Sequence, residues 1–420
     1  MDKIVVRGGV SLRGEVVVSG AKNAALPLLF ASLLTEEECR LNRVPQLVDI
    51  RTALRLLRDL GVQYDWLSDS QVALSARSVQ HCEAPYELVK TMRASFLVLG
   101  PLLARFGRAR VSTPGGCAIG TRPVNIHLDG LQQLGASIRV HHGYVEAEAK
   151  QLRGTHIVLD FPSVGATENL MMAATLAAGT TVIENAACEP EIEDLAAMLN
   201  AMGAQVSGAG SHTVTIEGVE ALHGTTHEVI PDRVEAGTFL IAGAITSGNV
   251  FVRGARADHL ATFLGKLRET GTHLEEGPEG IRVIGNGRPS SVDILTQPYP
   301  EFPTDLQAQM MALLCLGDSR SVITETIFEN RFLHAQELVR LGADIRIHGN
   351  TAVIDGVALL DGAPVMATDL RASVSLILAG LTAQGHTEIS RVYHLDRGYE
   401  RIEEKLSQLG ADITRVKNKE

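Results

Sequence analysis

A short pattern that recurs six times along the chain limits the folds open to it more than any other feature. Each copy has a Leu, an apolar or small residue three positions later, then a Gly, and an apolar residue three positions after that. The glycines of the six copies are Gly61, Gly135, Gly203, Gly271, Gly342 and Gly410. They lie 68 to 74 residues apart, so one period of about 70 residues fills the chain.

Each copy predicts an amphipathic helix that ends at the Gly and leads directly into a strand, because Gly adopts the left-handed backbone that terminates helices. A second series of Ala- and Leu-rich segments alternates with the first. These segments break at Thr35, Gly107, Gly179, Gly248, Gly317 and Gly385. They are apolar on nearly every side, which predicts helices buried inside a domain, with strands such as VTIEG and IRVIG between the helices.

Three such units around buried helices would make one domain, so six units predict two similar α/β domains. The chain has no Pro/Ser-rich linker, and pseudo-symmetry alone places the boundary after the third unit. The expected domains are residues 22–229, and residues 1–21 together with 230–420. We expect the first strands, KIVVRGG and GEVVVSG, to complete the final unit.

Composition excludes several classes of protein. The chain has 38 Lys and Arg against 49 Asp and Glu, a net charge of −11, which argues against a general nucleic-acid or anionic-membrane binder. No apolar run approaches the roughly 20 residues that span a bilayer, and the first residues lack a secretion signal. Five widely spaced cysteines without a CxxC pair predict neither disulfides nor a zinc site. We therefore expect a cytoplasmic protein with free thiols.

The first candidate site is Lys22, between a predicted strand and the first buried helix. A Lys at a helix N-terminus opposes the helix dipole unless an anion is bound there. A solvated Lys in a turn is an equally good interpretation, and the segment is not a phosphate-binding Walker loop because the required glycines are absent.

The second candidate is the loop PGGCAIGTRP at 114–123, in which three glycines and two prolines exclude helix and strand. It places Cys117 near Arg122, and a thiol in an exposed, positively charged loop tends toward the reactive thiolate. The alternative is a packed Cys in a turn.

The third set consists of charged residues near the starts or ends of buried helices: Arg93, Asp305, Arg331, Asp369, Arg371 and Arg397. For Asp305, simple compensation of the helix dipole is the alternative. Arg371 and Arg397 are each predicted to lie at the start of a helix, where the helix dipole disfavours a positive charge. Together with Lys22 they suggest an anion site shared by the two domains. His127 is added to this set, although a single His is more often a hydrogen-bonded structural residue.

Several of these segments occur together, in order, in one known family: SGAKNAALPLL, PGGCAIGTRPVNIHLDGLQQLGA, PSVGATEN, PTDLQAQ, ETIFENRF, DLRAS and DRGYERIEEKL. On these residues the chain resembles, over essentially its full length, the UDP-N-acetylglucosamine 1-carboxyvinyltransferases, a family of enolpyruvyl transferases. The resemblance implies an inside-out α/β barrel: two domains of three repeated units, with the active site in the cleft between them. It also implies that residues 1–21 belong with the C-terminal domain.

The resemblance further implies transfer of the enolpyruvyl group of phosphoenolpyruvate to the 3-hydroxyl of UDP-N-acetylglucosamine. Phosphate would leave a tetrahedral intermediate, in the first committed step of bacterial peptidoglycan synthesis. The implied reaction needs no metal or cofactor, because Arg and Lys supply the electrostatic stabilisation. By the same resemblance, Cys117 protonates phosphoenolpyruvate, Asp305 takes the proton of the sugar hydroxyl, and Lys22 and Arg397 complete the catalytic set. The residues that match substrate-binding positions are Lys22, Asn23, Arg93, Arg122, Pro123, Val124, Asn125, Ile126, His127, Ser163, Val164, Gly165, Asp305, Ile327, Phe328, Arg331, Asp369, Arg371 and Arg397.

The chain departs from some relatives at two positions. Asn125 replaces an Asp and Phe161 replaces a Lys, so affinity for the sugar nucleotide is the property that these changes would alter.

Two other functions are compatible with parts of this pattern. The sister enzyme that acts on shikimate 3-phosphate shares the expected fold and the phosphoenolpyruvate chemistry, but is expected to lack the cysteine loop. A ring-shaped DNA clamp could also be built from six α/β units. Such a clamp would carry cations spread along helices facing its hole, whereas here they cluster in loops and at helix starts.

Overall fold

The structure, a computed structural model, describes residues 2–114 and 124–417, which form two compact units. Unit A consists of residues 20–114 and 124–230, and unit B of residues 2–19 and 231–417. Each unit has its own cluster of buried apolar side chains. The fold is α/β.

Unit A contains three four-stranded sheets. Their strands, in spatial order, are β14 (Thr226–Glu228), β3 (Glu38–Asn42), β5 (Gln71–Ser75) and β4 (Gln63–Ser68); β6 (Glu83–Ala84), β7 (Arg108–Ser112), β9 (Tyr144–Glu148) and β8 (Ser137–His141); and β10 (His156–Val158), β11 (Thr180–Glu184), β13 (Thr213–Glu217) and β12 (Gln205–Ser207). The helices are α1 (Lys22–Ala31), α2 (Val48–Leu60), α3 (Tyr86–Val89), α4 (Leu99–Phe106), α5 (Asn125–Gln133), α6 (Val164–Ala174) and α7 (Pro190–Ala201), with 3₁₀ turns at Ser32–Leu34 and Arg93–Val98.

Unit B also contains three four-stranded sheets. Their strands are β2 (Arg13–Val17), β15 (Asn249–Arg253), β17 (Gly280–Ile284) and β16 (His273–Gly277); β18 (Ile294–Leu295), β19 (Arg320–Thr324), β21 (Thr351–Asp355) and β20 (Asp344–His348); and β22 (Pro364–Met366), β23 (His386–Ser390), β1 (Lys3–Arg7) and β24 (Asp412–Val416). The helices are α8 (Arg233–Ile245), α9 (Ala261–Glu269), α10 (Gln307–Leu314), α11 (Ala335–Arg340), α12 (Ala372–Gly380) and α13 (Ile402–Gln408), with 3₁₀ turns at Thr304–Leu306 and Val392–Arg397.

The six sheets share one pattern of strand directions. In each, a parallel pair at one edge is followed by two antiparallel pairings. All six glycines of the first repeat have positive φ, between 85° and 107°. In every copy the next strand begins two residues after the Gly. The predicted succession of helix, left-handed Gly and strand is therefore confirmed.

The prediction that the second series forms buried helices is also confirmed. Every residue of α10 and α12 is buried, as are twelve of the thirteen residues of α8. These helices are apolar on nearly every side because no face of them meets water.

The prediction for the two N-terminal strands is only half right. Strand β1 lies inside the final sheet, between β23 and β24. Strand β2 instead pairs in parallel with β15 and so completes the sheet of the fourth repeat. Both strands have five residues and contain adjacent valines, so the choice of partner depends on tertiary structure.

Candidate functional site

Lys22 is the first residue of α1, as predicted. Its Nζ lies 3.1 Å from Asp49 Oδ2, and both side chains are buried. Asp49 stands in the first turn of α2, and Asn23 follows Lys22 in a half-buried position. The carboxylate offsets a cation that the dipole of α1 would otherwise disfavour. Unit A therefore holds a buried ammonium group at a helix start.

His127, in the first turn of α5, is buried against the edge of Phe96, with ring centres 5.2 Å apart. Its Nδ1 lies 3.1 Å from Asn169 Nδ2. The Gly100 N–H donates to Asn169 Oδ1 at 2.7 Å, which fixes the orientation of the amide. Asn169 is thus the donor to His127, and a neutral imidazole carries its proton on Nε2.

Burial of the ring is the main reason that the pKa of His127 is lowered to about 3, and the positive charge of Arg93 lowers it further. The ring is therefore neutral at pH 7. A neutral ring could contact an anion only through an N–H group, and the predicted place of His127 at an anion site stays a prediction.

The predicted segment 163–165 lies beside this histidine. Ser163 precedes α6 and its hydroxyl accepts a hydrogen bond from the Ala166 N–H at 3.3 Å, which caps the helix. A side chain at Gly165 would lie 3.3 Å from His127 Cε1. The structure therefore brings together Arg93, His127 and the start of α6. Val124, Asn125 and Ile126 lie at the start of α5, where Asn125 is exposed, and Phe161 is 43% exposed.

Unit B places a carboxylate between two arginines. Arg331 Nη2 donates to Asp305 Oδ1 at 2.7 Å, and Arg371 Nε lies 3.7 Å from Asp305 Oδ2. Both arginines are buried, whereas 27% of the Asp305 side chain is exposed. Burial acts to raise the pKa of Asp305, but the charges of Arg331 and Arg371 outweigh it and hold the pKa well below its usual range. Asp305 is therefore an ionised, partly accessible carboxylate.

Arg371 also approaches a second carboxylate. Its Nη2 lies 3.8 Å from Asp232 Oδ2, and its Nη1 donates to the Gly398 carbonyl at 3.2 Å. Asp369 caps the helix that Arg371 precedes, because its Oδ1 accepts from the N–H groups of Arg371 and Ala372 at 2.8 and 2.9 Å. Asp369 is thus a structural cap, and Arg371 lies at a helix start as predicted.

Arg397 does not open a helix, so that prediction was wrong. It is the last residue of the 3₁₀ turn Val392–Arg397, and α13 begins only at Ile402. Arg401, with φ of 46°, adopts the left-handed conformation that separates the two elements. The structure nevertheless brings Arg397 near Arg371, since its neighbour Gly398 accepts the Arg371 hydrogen bond.

Glu325 links the predicted residues Ile327 and Phe328 to the Asp305 turn. Its Oε1 accepts from the N–H groups of Ile327 and Phe328 at 2.8 and 3.3 Å, and its Oε2 accepts from Thr304 Oγ1 at 2.8 Å. Glu325 is buried. The segment 327–328 is therefore fixed next to the residue that precedes Asp305.

Sequence reasoning missed Asp49, Asp232, Glu325 and Asn169, the partners that hold the predicted residues. Only Asp232 carried a local signal, since an Asp three residues before a Glu is typical of a helix start. Its Oδ1 does accept from the N–H groups of Val234 and Glu235, at 2.8 and 3.1 Å. Three predicted residues, Cys117, Arg122 and Pro123, lie outside the described residues.

Within residues 2–114 and 124–417, no cluster of three or more His, Cys, Asp or Glu side chains is arranged to hold a metal ion. No helix within these ranges has the length and apolar character needed to cross a bilayer.

Comparison with known proteins gives concordant matches. The family model described as EPSP synthase (3-phosphoshikimate 1-carboxyvinyltransferase) matches residues 6–406. The UDP-N-acetylglucosamine 1-carboxyvinyltransferase of Geotalea uraniireducens (strain Rf4) is 57% identical over 416 residues, which are 99% of this chain and 100% of that protein.

Two solved structures have the same fold. The enolpyruvyl transferase NikO from Streptomyces tendae superposes with a TM-score of 0.89 at 26% identity, over 99% of both chains. EPSP synthase from Acinetobacter baumannii superposes with a TM-score of 0.77 at 18% identity, over 99% of this chain and 100% of that one. Because the family model spans most of the sequence and the Geotalea protein is 57% identical over nearly all of it, the chain belongs to the EPSP synthase family of 1-carboxyvinyl (enolpyruvyl) transferases.

Proposed function

We propose that this chain transfers the enolpyruvyl group of phosphoenolpyruvate to the 3-hydroxyl of UDP-N-acetylglucosamine and releases phosphate, the first committed step of peptidoglycan synthesis. The observation that carries the proposal is the 57% identity, over 99% of the chain, to an enzyme named for this transfer. The shikimate 3-phosphate alternative gives its name to the family model, but its solved representative is only 18% identical. That similarity extends to the fold alone.

We propose that Asp305 is the base that takes the proton of the sugar hydroxyl. Its ionised state and its partial exposure support this role, because a base must be deprotonated and must reach the substrate. Arg331 and Arg371 would then be placed to stabilise negative charge that develops in the transition state. Lys22 and Arg397, with Arg122, would bind the carboxylate and phosphate of phosphoenolpyruvate.

We propose Cys117 as the acid that protonates C3 of phosphoenolpyruvate, on the resemblance of its loop alone. We also propose that both units supply residues to this one reaction, as two domains of an inside-out α/β barrel. The bounds of these domains would be those expected from the repeats. A cytoplasmic location is proposed from the free cysteines and the cytoplasmic substrates that the reaction would use.

The test of the function is phosphate release from phosphoenolpyruvate by the purified chain, with either UDP-N-acetylglucosamine or shikimate 3-phosphate as acceptor. Release that depends on UDP-N-acetylglucosamine is the expected result. Release only with shikimate 3-phosphate, or with neither acceptor, would contradict the proposal.

Single variants test the two proton-transfer roles. Asp305→Asn should lower phosphate release by about 10² to 10⁴-fold, whereas the exposed Asp318→Asn should leave it unchanged. Cys117→Ser should lower release at least ~100-fold and also abolish alkylation by the epoxide fosfomycin, measured as a mass increase. Undiminished alkylation of Cys117→Ser would remove Cys117 from its role.

A further inference from the structure

A buried phenol lies behind Asp305 and Arg371 in unit B. Tyr399 is only 2% exposed, and its ring centre is 5.6 Å from the Arg371 guanidinium carbon. The phenol oxygen contacts Thr238 of α8 and Gln309 of α10. Tyr399 therefore touches one arginine with its ring and two buried helices with its hydroxyl.

The hydrogen bonds around the phenol have only one consistent direction. The single hydroxyl hydrogen of Thr238 is donated to the Val234 carbonyl at 2.8 Å. At the 3.0 Å contact with Tyr399, Thr238 can then only accept, so the phenol is the donor. The phenol oxygen in turn accepts from Gln309 Nε2 at 3.1 Å.

The same amide group reaches the proposed base. Gln309 Nε2 donates its other hydrogen to the backbone carbonyl of Asp305 at 2.9 Å. The chain of donors thus runs from Gln309 through Tyr399 and Thr238 to the backbone of α8. It anchors the turn that carries Asp305 at its main chain, while Arg331 holds the side chain at Oδ1.

The phenol stays protonated as this chain requires, because burial raises the pKa of Tyr399 to about 12. The carbonyl of Gly398, directly before Tyr399, accepts from Arg371. Gln309 Nε2 also lies 3.3 Å from Thr238 Oγ1. Loss of the phenol oxygen would therefore remove the shorter of the two contacts that tie the Gln309 amide to this cluster, and loosen the restraint on the turn at Asp305.

We propose that Tyr399 is a positioning residue for the transfer reaction: through Gln309 it fixes the turn that carries Asp305, and through its ring and Gly398 it fixes Arg371 beside that carboxylate. This inference rests on the proposed function, which gives Asp305 its role. A displacement of about 1 Å between reacting groups can cost about 10²-fold in rate, so a residue remote from the chemistry can control it.

The test compares variants that shorten this chain of hydrogen bonds. Tyr399→Phe keeps the ring but removes the oxygen. Thr238→Val removes the oxygen that accepts from both the phenol and the Gln309 amide. We expect kcat to fall about tenfold or more in both, while the KM for UDP-N-acetylglucosamine changes less than about twofold. Thr238→Ser keeps the hydroxyl and should restore kcat. If Tyr399→Phe does not fold, the comparison of Thr238→Val with Thr238→Ser tests the same chain.

A matched control separates positioning from simple stability. Thr246 directly follows α8, the helix that contains Thr238. Its hydroxyl donates to the carbonyl four residues earlier at 2.7 Å and accepts from the Leu12 N–H at 3.3 Å. Neither bond involves Tyr399 or Gln309. Thr246→Val should therefore retain kcat. Equal kcat values in Thr238→Val, Tyr399→Phe and Thr246→Val would overturn the inference while leaving the proposed function intact. An unaltered chain that releases no phosphate with UDP-N-acetylglucosamine would contradict the proposed function and this inference with it.

Discussion

At the scale of single residues, buried cations are matched by carboxylates that come from distant parts of the chain. Lys22 pairs with Asp49, and Arg371 lies within 4 Å of Asp232 and Asp305. Removing one partner of a buried pair is costly because the other charge then lacks its compensation. In each pair a carboxylate of the protein itself offsets the buried positive charge.

His127 carries a prediction about pH. Its folded-state pKa of about 3 lies below the value of about 6.5 in an unfolded chain. Between these values the unfolded chain binds a proton that the folded chain does not, so the free energy of unfolding falls as the pH falls. The contribution approaches about 1.4 kcal/mol per pH unit. In His127→Gln the free energy of unfolding should fall less steeply between pH 5.5 and 4, by about 1.4 kcal/mol per pH unit. Urea unfolding at several pH values measures this slope.

The exposed His273→Gln is the control for this measurement, and its decline should match that of the unaltered chain. A decline in His127→Gln as steep as in the unaltered chain would mean that His127 is not held neutral.

At the scale of elements, the two N-terminal strands occupy different positions in their sheets. Strand β1 is an interior strand of its sheet, whereas β2 is an edge strand. Ile4 in β1 is fully buried, and Val17 in β2 is 57% exposed. Chain termini usually tolerate change, but a terminal strand inside a sheet does not.

This difference predicts the effect of two alanine substitutions. Ile4→Ala should lower the free energy of unfolding by about 2 to 4 kcal/mol, because it leaves a cavity in the core of unit B. Val17→Ala should change it by less than about 0.5 kcal/mol. Urea unfolding followed by circular dichroism measures both. Equal effects of the two substitutions would show that β1 does not occupy the interior position.

At the scale of the whole molecule, an acidic chain buries two arginines beside a carboxylate. The net charge is −11, yet Arg331 and Arg371 are both less than 5% exposed. Their charge therefore acts at the candidate site rather than on the general surface. A strong salt-dependent affinity for nucleic acid is not expected from such an arrangement.

Ligand binding should stabilise the molecule in a residue-specific way. At 100 times its dissociation constant, UDP-N-acetylglucosamine should add about 2.7 kcal/mol to the free energy of unfolding, visible as a rise in Tm. Arg93→Met removes the cation next to His127 and should abolish most of that rise. The control Arg282→Met, at a side chain that is 40% exposed, should retain the rise in Tm. A rise in Arg93→Met equal to that of the unaltered chain would exclude Arg93 from the nucleotide-sugar site.

The local features of this fold could be predicted from the amino-acid sequence. Gly61 and its five counterparts predicted the left-handed helix ends, because the Gly backbone preference is a property of one residue and its neighbours. The apolar character of α8, α10 and α12 predicted their burial for the same reason, since a helix without a polar face has to avoid water. The position of Lys22 at the start of α1 also followed from its local sequence.

Tertiary structure alone decided which distant segments meet. It paired β2 with β15 and not with a strand of the final sheet. It ended the 3₁₀ turn at Arg397, five residues before α13 begins. It also placed Asp49 next to Lys22. It also joined Tyr399 to Gln309 and Thr238. These contacts link residues 27 to 236 positions apart, and their choice depends on the packing of the whole unit. A local pattern fixes the type of an element, whereas the partner of each buried charge and hydroxyl is fixed only when the core closes around it.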